Sequence, residues 1–405
     1  MKIFRPIKVS LFMSFKFIVR GNFGVSLLTI CMLILIFIDI LFVPSLIGGV
    51  VAQLNKQLVN GLSSNISITP KSNTDPITNA TSFMNQIQKN NHVKAVTSRI
   101  AAGTKITFND ASVITAVSAI DTNTDPKVFE TSHHIISGSY LSSKDTDGIL
   151  LGVQLAGMNR KDLTFYNTSL KTVDVGDSVS VTLVNGVQKN FIVKGIYQDD
   201  FVLADNQAFI TQHELQTLIP ATKDTASTIY VRTKQTGNEA KIVNELSTIR
   251  TNVVMDTWES LKGIIKDQID SFNLVDDILW AVSLFVAAIT IFIITYTDLV
   301  NKRKQIGIER AIGISLETIV LTYLLKAIYY SIIGISLGIL IYLYILVPFT
   351  IGHPFMFPDG PVSLIIDPYL ISQDAYLLII VATMSAFIPT ALTLHMSILD
   401  AIWSI

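Results

Sequence analysis

"VSLLTICMLILIFIDILFVPSL", residues Val25 to Leu46, is a run of 22 residues in which Asp39 is the only charged side chain. A bilayer's hydrocarbon core is about 30 Å thick and takes about 20 apolar helical residues to cross. The run therefore reads as a transmembrane helix. Basic residues precede it, as they would a secretory signal, but it is longer than a signal core and no A-x-A-like site follows, so it is expected to be retained. Three further segments have the same character: Ile278–Val300, Ile319–Val347 and Tyr376–Leu394.

The rest of the composition agrees with a membrane protein. Of the 405 residues 50% are hydrophobic and only 15% charged, and the mean hydropathy is +0.50. A net charge of −1 leaves no basic stripe for a nucleic-acid backbone. The single cysteine, Cys31, lies in the first apolar run and excludes an intrachain disulfide and a CxxC zinc site.

Charge orients the spans. Lys2, Arg5, Lys8, Lys16 and Arg20 precede the first, and Lys302, Arg303, Lys304 and Arg310 separate the second from the third. The segment Phe349 to Gln373, with His353, Asp359 and Asp367, has no lysine or arginine. By the positive-inside rule both termini and the 301–315 segment are cytoplasmic, and the long insert between the first two spans is outside. Asp39 is costly in lipid and is expected near the outer end of its span, reaching water or a neighbouring helix. Beyond Asp39 the spans read as short of buried acids, lysines and histidines, which argues against an ion-coupled path.

The insert alternates apolar and polar residues in short runs, the pattern of a folded α+β domain. In "DSVSVTLVNGVQKNFIVKGIY", Asp177 to Tyr197, Val179, Val181 and Leu183 alternate with polar neighbours. Asn185-Gly186 reads as a two-residue hairpin turn, and Phe191, Val193 and Ile196 form the returning strand. "SNISITP" (64–70) and "STIYVRT" (227–233) read as strands, and "ITNATSFMNQIQKN" (77–90) and "NEAKIVNELSTI" (238–249) as helices. At the ends of the insert, Val51, Leu54, Leu58 and Leu62, and again Leu261, Ile264, Ile265, Ile269 and Phe272, recur at helical spacing. They read as a stalk continuing the two flanking spans.

Catalytic chemistry is hard to find. No G-x-x-x-x-G-K-[ST] occurs, so ATP, if used, is expected on another polypeptide. His133-His134 has no third ligand at metal-site spacing, and no nucleophile-and-base set stands out. Asn65, Asn79 and Asn167 match N-x-[ST], which matters only in a glycosylating organism.

The segment "NKRKQIGIERAIGIS", Asn301 to Ser315, is richer than a connector requires. Its lysines serve topology. Its Glu309 and glycines do not. With the topology in place, "RKQIGIERAIGIS" resembles the signature of FtsX-like permeases of the MacB and LolC/LolE type, the mechanically coupled class of ABC transporters. So do "SGSYLSSKDTDGILLGVQLAG" (137–157), "VDVGDSVSVT" (173–182), "FIVKGIY" (191–197) and the closing "IPTALTLHMSILDAI" (388–402). Gln305 stands where the family often has glutamate, Ser397 replaces its usual proline, and the closing arginine is missing.

The resemblance implies four transmembrane helices with a large α+β extracytoplasmic domain inserted between spans 1 and 2. It divides the chain into a cytoplasmic segment 1–24, the first span 25–46, a MacB-like periplasmic core domain 47–275 with stalk ends near 47–62 and 259–275, and an FtsX-like permease domain 276–405. It also implies a non-enzymatic membrane subunit, with no cofactor of its own, that partners a cytoplasmic ABC ATPase dimer and a second permease subunit, itself or a sibling. Arg303, Gln305, Ile306, Gly307, Glu309, Arg310, Ala311 and Gly313 match the element that docks on the ATPase. Ile306, Ala311 and Ile312 can pack against a groove on it or against the bilayer surface. The expected cargo is lipoprotein-like and leaves the outer leaflet of the cell membrane. The alternatives are export of peptides or small amphiphiles, or regulation of a cell-wall hydrolase.

Overall fold

Hydrocarbon offers a backbone no hydrogen-bond partner but itself. The four apolar segments are accordingly helical in a computed structural model of the chain, which describes residues 4–20, 23–72, 75–157, 169–260, 263, 266–357 and 360–394. Lys2, Asn167, Leu261, Ile264, Ile265, Asp359 and Ser397 lie outside the described residues, as do the side chains of Arg5 and Arg20. The span helices are Phe23–Gln57, Lys266–Asn301, Leu316–Ile341 and Pro368–Leu394. The third continues through a widened turn, Tyr342–Leu346, into Val347–Gly352. All four are long and apolar enough to cross a membrane, and the chain is a multi-pass membrane protein with a large extracytoplasmic domain.

The described residues form two compact units, one carrying the spans and one built mainly from Val51–Asp267. In the first, Leu33 and Phe37 of the first span helix lie against the third. A Cβ on Gly334 would stand 2.7 Å from Leu33 Cβ, and one on Gly338 2.8 Å from Phe37 Cδ1. Two glycines one turn apart thus let the helices meet backbone to side chain, the device that replaces hydrophobic driving force inside a membrane.

Polar groups within this unit find partners on neighbouring helices and on the segment before the last span. Ser26 and Tyr330 hydroxyls are 2.7 Å apart, Ser45 Oγ donates to Ile365 O at 2.6 Å, and Trp280 Nε1 donates to Asp374 Oδ1 at 3.1 Å. Asp39 does reach a neighbouring helix, accepting a 2.6 Å hydrogen bond from Ser283 Oγ. An N-terminal helix, Phe4–Arg20, which the sequence reading left without structure, packs along the start of the third span. Ser10 Oγ donates to Thr318 O at 3.0 Å, while Leu11, Phe12 and Phe15 stay exposed.

The second unit is a ten-stranded sheet. Its strands are β1 (Ile66–Pro70), β3 (Val93–Phe108), β4 (Ala111–Ile120), β5 (Ile135–Gly138), β6 (Gly148–Gly152), β7 (Ser178–Leu183), β8 (Gln188–Tyr197), β9 (Ala208–Thr211), β11 (Thr228–Thr233) and β12 (Val253–Thr257); β2 (Ile77–Thr78) and β10 (Thr225–Ala226) pair separately. The ladder β3-β4-β9-β6-β8-β7 returns to β3 and closes a barrel around Ile106, Val117, Leu151, Val181 and Val193. Closure gives each of these strands a neighbour on both sides, although the first half of β4 pairs only with β3. The first half of β3 extends through β11 and β1 to β12, and helices Ala80–Gln88 and Glu239–Ser247 cover that wing through Phe83, Ile87, Ile242 and Leu246. Near the joint Arg99, 4% exposed, grips Asp125 through two hydrogen bonds of 2.9 and 3.2 Å and lies 3.7 Å over the Phe129 ring.

The β7–β8 hairpin forms, with one correction. The loop is Val184-Asn185-Gly186, three residues, because Leu183 N–H bonds Val187 O at 2.8 Å and Gly186 N–H bonds Leu183 O at 2.9 Å. Gly186 alone is left-handed there (φ +82°), whereas a two-residue turn of the favoured type needs positive φ at both centres. On β8 an extra residue between Val193 and Gly195 shifts the register against β6. This bulge reverses the alternation and brings Ile196 inside with Phe191 and Val193. Asn65 is also corrected as a glycosylation candidate: it is 1% exposed, with its amide bonded to Glu239 and Thr233.

Gly334→Val should lower stability by about 1–3 kcal/mol through overpacking against Leu33. Thermal unfolding of the full chain in detergent measures it, and an unchanged midpoint would contradict the close helix contact.

Candidate coupling site

The second span helix ends at Asn301, and after one residue the chain re-enters a helix, Arg303–Ala311. Its end is fixed by glycine. Gly313 is left-handed (φ +96°), its N–H bonds Arg310 O at 3.1 Å, and Ile314 N–H bonds Glu309 O at 3.0 Å. That paired arrangement satisfies the last carbonyls of a helix and needs a residue without a Cβ penalty at the turn. Ser315 then opens the third span helix, its side chain accepting from Thr318 N–H.

Two faces emerge. Ile306, 6% exposed, packs with Ile314 against Leu299, Ile319 and Tyr323, and Gly307 is buried beside it. Ile306 was expected against a partner's groove or the bilayer surface; it is spent instead on the chain's own core. On the other side Ile308 and Ile312, 57% and 74% exposed, stand one turn apart with Ala311. Ile308 was missed by the sequence reading, although its spacing of four from Ile312 marks one helix face.

The polar residues of the helix occupy its flanks. Arg303, Glu309 and Arg310 are half-buried, and Gln305 and Gly313 exposed. Arg303 Nε finds no partner among the described residues. Gln305 Nε2 donates to Glu309 Oε1 at 3.0 Å. Burial raises the Glu309 pKa, against the lowering effects of the Gln305 hydrogen bond and of Lys302.

Behind this helix lies a charge cluster that corrects the reading of the spans as nearly free of ionisable groups. Asp298 in the second span helix and Lys326 in the third pair at 2.7 Å, 13% and 9% exposed. Lys302 joins them at 3.2 Å and lies 4.6 Å over the Phe17 ring. The pair escapes a composition count because each member lies within a few turns of its span's cytoplasmic end. Only the tertiary contact shows that the lysine turns to a neighbour and not to water. A cavity of about 30 Å³ borders Asp298, Lys326 and Tyr323, whose hydroxyl is buried without a partner among the described residues.

Two expectations concern these groups. Asp298→Ala leaves Lys326 without its carboxylate and should cost stability toward the low end of about 3–5 kcal/mol, whereas Asp298→Ala with Lys326→Met should recover most of it. Equal losses in the single and double variants would refute the pairing. For Glu309 the folded pKa lies above the unfolded one, so the folded state binds the proton more tightly. Its penalty is absent below the ordinary 4.5 and grows as pH rises through the raised folded value. Glu309→Gln should therefore raise the thermal midpoint at pH 7 but not at pH 4, and a pH-independent gain would contradict this.

Comparisons with known proteins bear on the whole chain. Residues 26–249 match the model of the MacB-like periplasmic core domain and residues 278–398 that of the FtsX-like permease C-terminal domain. An uncharacterized ABC transporter permease of Methanocaldococcus jannaschii is 25% identical over 193 residues, 44% of this chain and 53% of that protein. The chain thus aligns with about half the length of that relative. Among solved structures, the periplasmic region of MacB from Actinobacillus actinomycetemcomitans matches with a TM-score of 0.36 at 14% identity, covering 51% of this chain and 94% of that one. The extracellular domain of the noncanonic ABC-type transporter YknZ from Gram-positive bacteria gives 0.34 at 12%, covering 48% and 100%. The first family model alone takes in more than half of the sequence, and the chain belongs to the MacB/FtsX-like permease family.

Proposed function

We propose that the chain is the permease subunit of an ABC transporter of the mechanotransmission type. A separate cytoplasmic ATPase dimer hydrolyses ATP, and its closure shifts the helix 303–311, tilts the first two spans and changes the shape of the external domain. The chain works beside a second permease subunit and handles lipoprotein-like cargo at the outer leaflet. The division of the chain at 1–24, 47–275 and 276–405 belongs to this reading.

The observation that carries it is the two-faced helix. Ile306 and Gly307 fix it to the chain, while Ile308, Ala311 and Ile312 leave an apolar stripe on the other side. An isoleucine pair one turn apart on a short helix is the pattern that enters a partner's groove. Glu309, half-buried with a raised pKa, adds a carboxylate that a partner's cation would stabilise.

Ile308→Asp with Ile312→Asp changes exposed residues only and should leave folding intact. The double variant should lose about tenfold or more of the ATPase that co-purifies with the wild-type chain, scored by its Walker A peptide and by stimulated ATP turnover. Undiminished binding and turnover would sink the coupling role. Cargo is tested separately, by crosslinking through the external domain and asking whether the adduct carries a lipid anchor.

A further inference from the structure

Strand β11 carries Arg232 to the wall of a cleft in the sheet unit. Its Nη2 donates to Asn60 Oδ1 at 2.7 Å and stands 3.7 Å from Glu130 Oε1, while Nη1 is buried without a partner among the described residues. Burial lowers this guanidinium's pKa below the ordinary value and Glu130 opposes the shift in part, so the cation is fixed in place but under-compensated. The cleft has a volume of about 850 Å³ and also presents Lys56, Lys94 and Lys234. The three lysines are exposed, and none forms an ion pair among the described residues. Four cations thus face one carboxylate, Glu130, in a chain whose net charge is −1.

The remaining lining narrows the ligand. Asn55 Oδ1 is buried without a partner among the described residues, and Thr236 and Gln235 stand exposed at the rim. Half-buried Trp258 supplies an aromatic side chain to the wall. A bare tetrahedral anion would use the cations but leave most of the volume and the amide oxygen unused. The space falls within the roughly 300–1,000 Å³ of small-molecule sites. Lysine point charges and an arginine fork suit phosphate oxygens, and an amide oxygen with a carboxylate suits hydroxyl donors.

We propose that this cleft is a binding site for a phosphate ester bearing hydroxyl groups, presented either by a lipid headgroup or by a free polyol phosphate. The site goes beyond the ATPase-coupled reading and does not depend on it.

The full chain in phosphatidylcholine nanodiscs can be titrated calorimetrically with glycerophosphoglycerol, glycerol 1-phosphate, inorganic phosphate and, as a neutral control, glycerol. At least one ester should bind, and more weakly as salt is raised. Lys94→Glu with Lys234→Glu should weaken that binding by about tenfold or more. Lys94→Gln with Lys234→Gln serves as a milder pair should the first disturb the thermal midpoint. Preference for glycerophosphoglycerol assigns the site to a lipid headgroup, and preference for glycerol 1-phosphate to a free ester; either supports the proposal. Binding of inorganic phosphate alone, equal heats from glycerol, no binding, or affinity unchanged in both double variants would overturn it.

Discussion

Everything in the span-bearing unit answers to one constraint, the absence of water as a hydrogen-bond partner in the bilayer. It forces the backbone into helices, and it drives polar side chains in those helices toward one another or toward backbone carbonyls. The pairs are specific: Asp39 with Ser283, Trp280 with Asp374, Ser26 with Tyr330, Asp298 with Lys326. Each joins two different helices. Since lipid supplies no driving force for association, these bonds and the glycine contacts of Gly334 and Gly338 decide which helices are neighbours.

At the cytoplasmic end the same constraint produces a stiff joint. Lys302 answers Asp298, which also holds Lys326, so the residue preceding the helix 303–311 is bonded to the second span helix and shares its carboxylate with the third. Ile306 and Ile314 bury beside Leu299 and Ile319, and the Gly313 turn removes slack from the helix end. A short helix anchored at its start by a charge cluster and along its inner face by an apolar cluster moves as a body with its neighbours. That is the mechanical property a push from below would require.

The spans, the strands at 66–70 and 228–233 and the helices at 80–88 and 239–247 were legible because hydrophobic period and length are local signals. The barrel closure was not, because β7 pairing with β3 joins residues some 75 positions apart in sequence and leaves no local trace. The bulge on β8 was hidden for a related reason: an extra residue matters only against a partner strand. The segment 301–315 was half legible. Its glycines and charges marked it as more than a connector, but which isoleucine points inward depends on packing with Leu299 and Tyr323, and so Ile306 turned out buried and Ile308, given no role by the sequence, exposed.

Gln305 shows how a departure from a family pattern can be local chemistry. It sits one turn before Glu309, and its amide donates to that carboxylate. A glutamate at the same place would set two carboxylates at i and i+4, a repulsive spacing on a helix, and would push the half-buried Glu309 further toward its protonated form. A chain with glutamate there needs a cation nearby to hold the pair, supplied by itself or by a docked partner. With glutamine the helix orients the Glu309 carboxylate through its own side chain, and ordering this face needs no group from outside the chain.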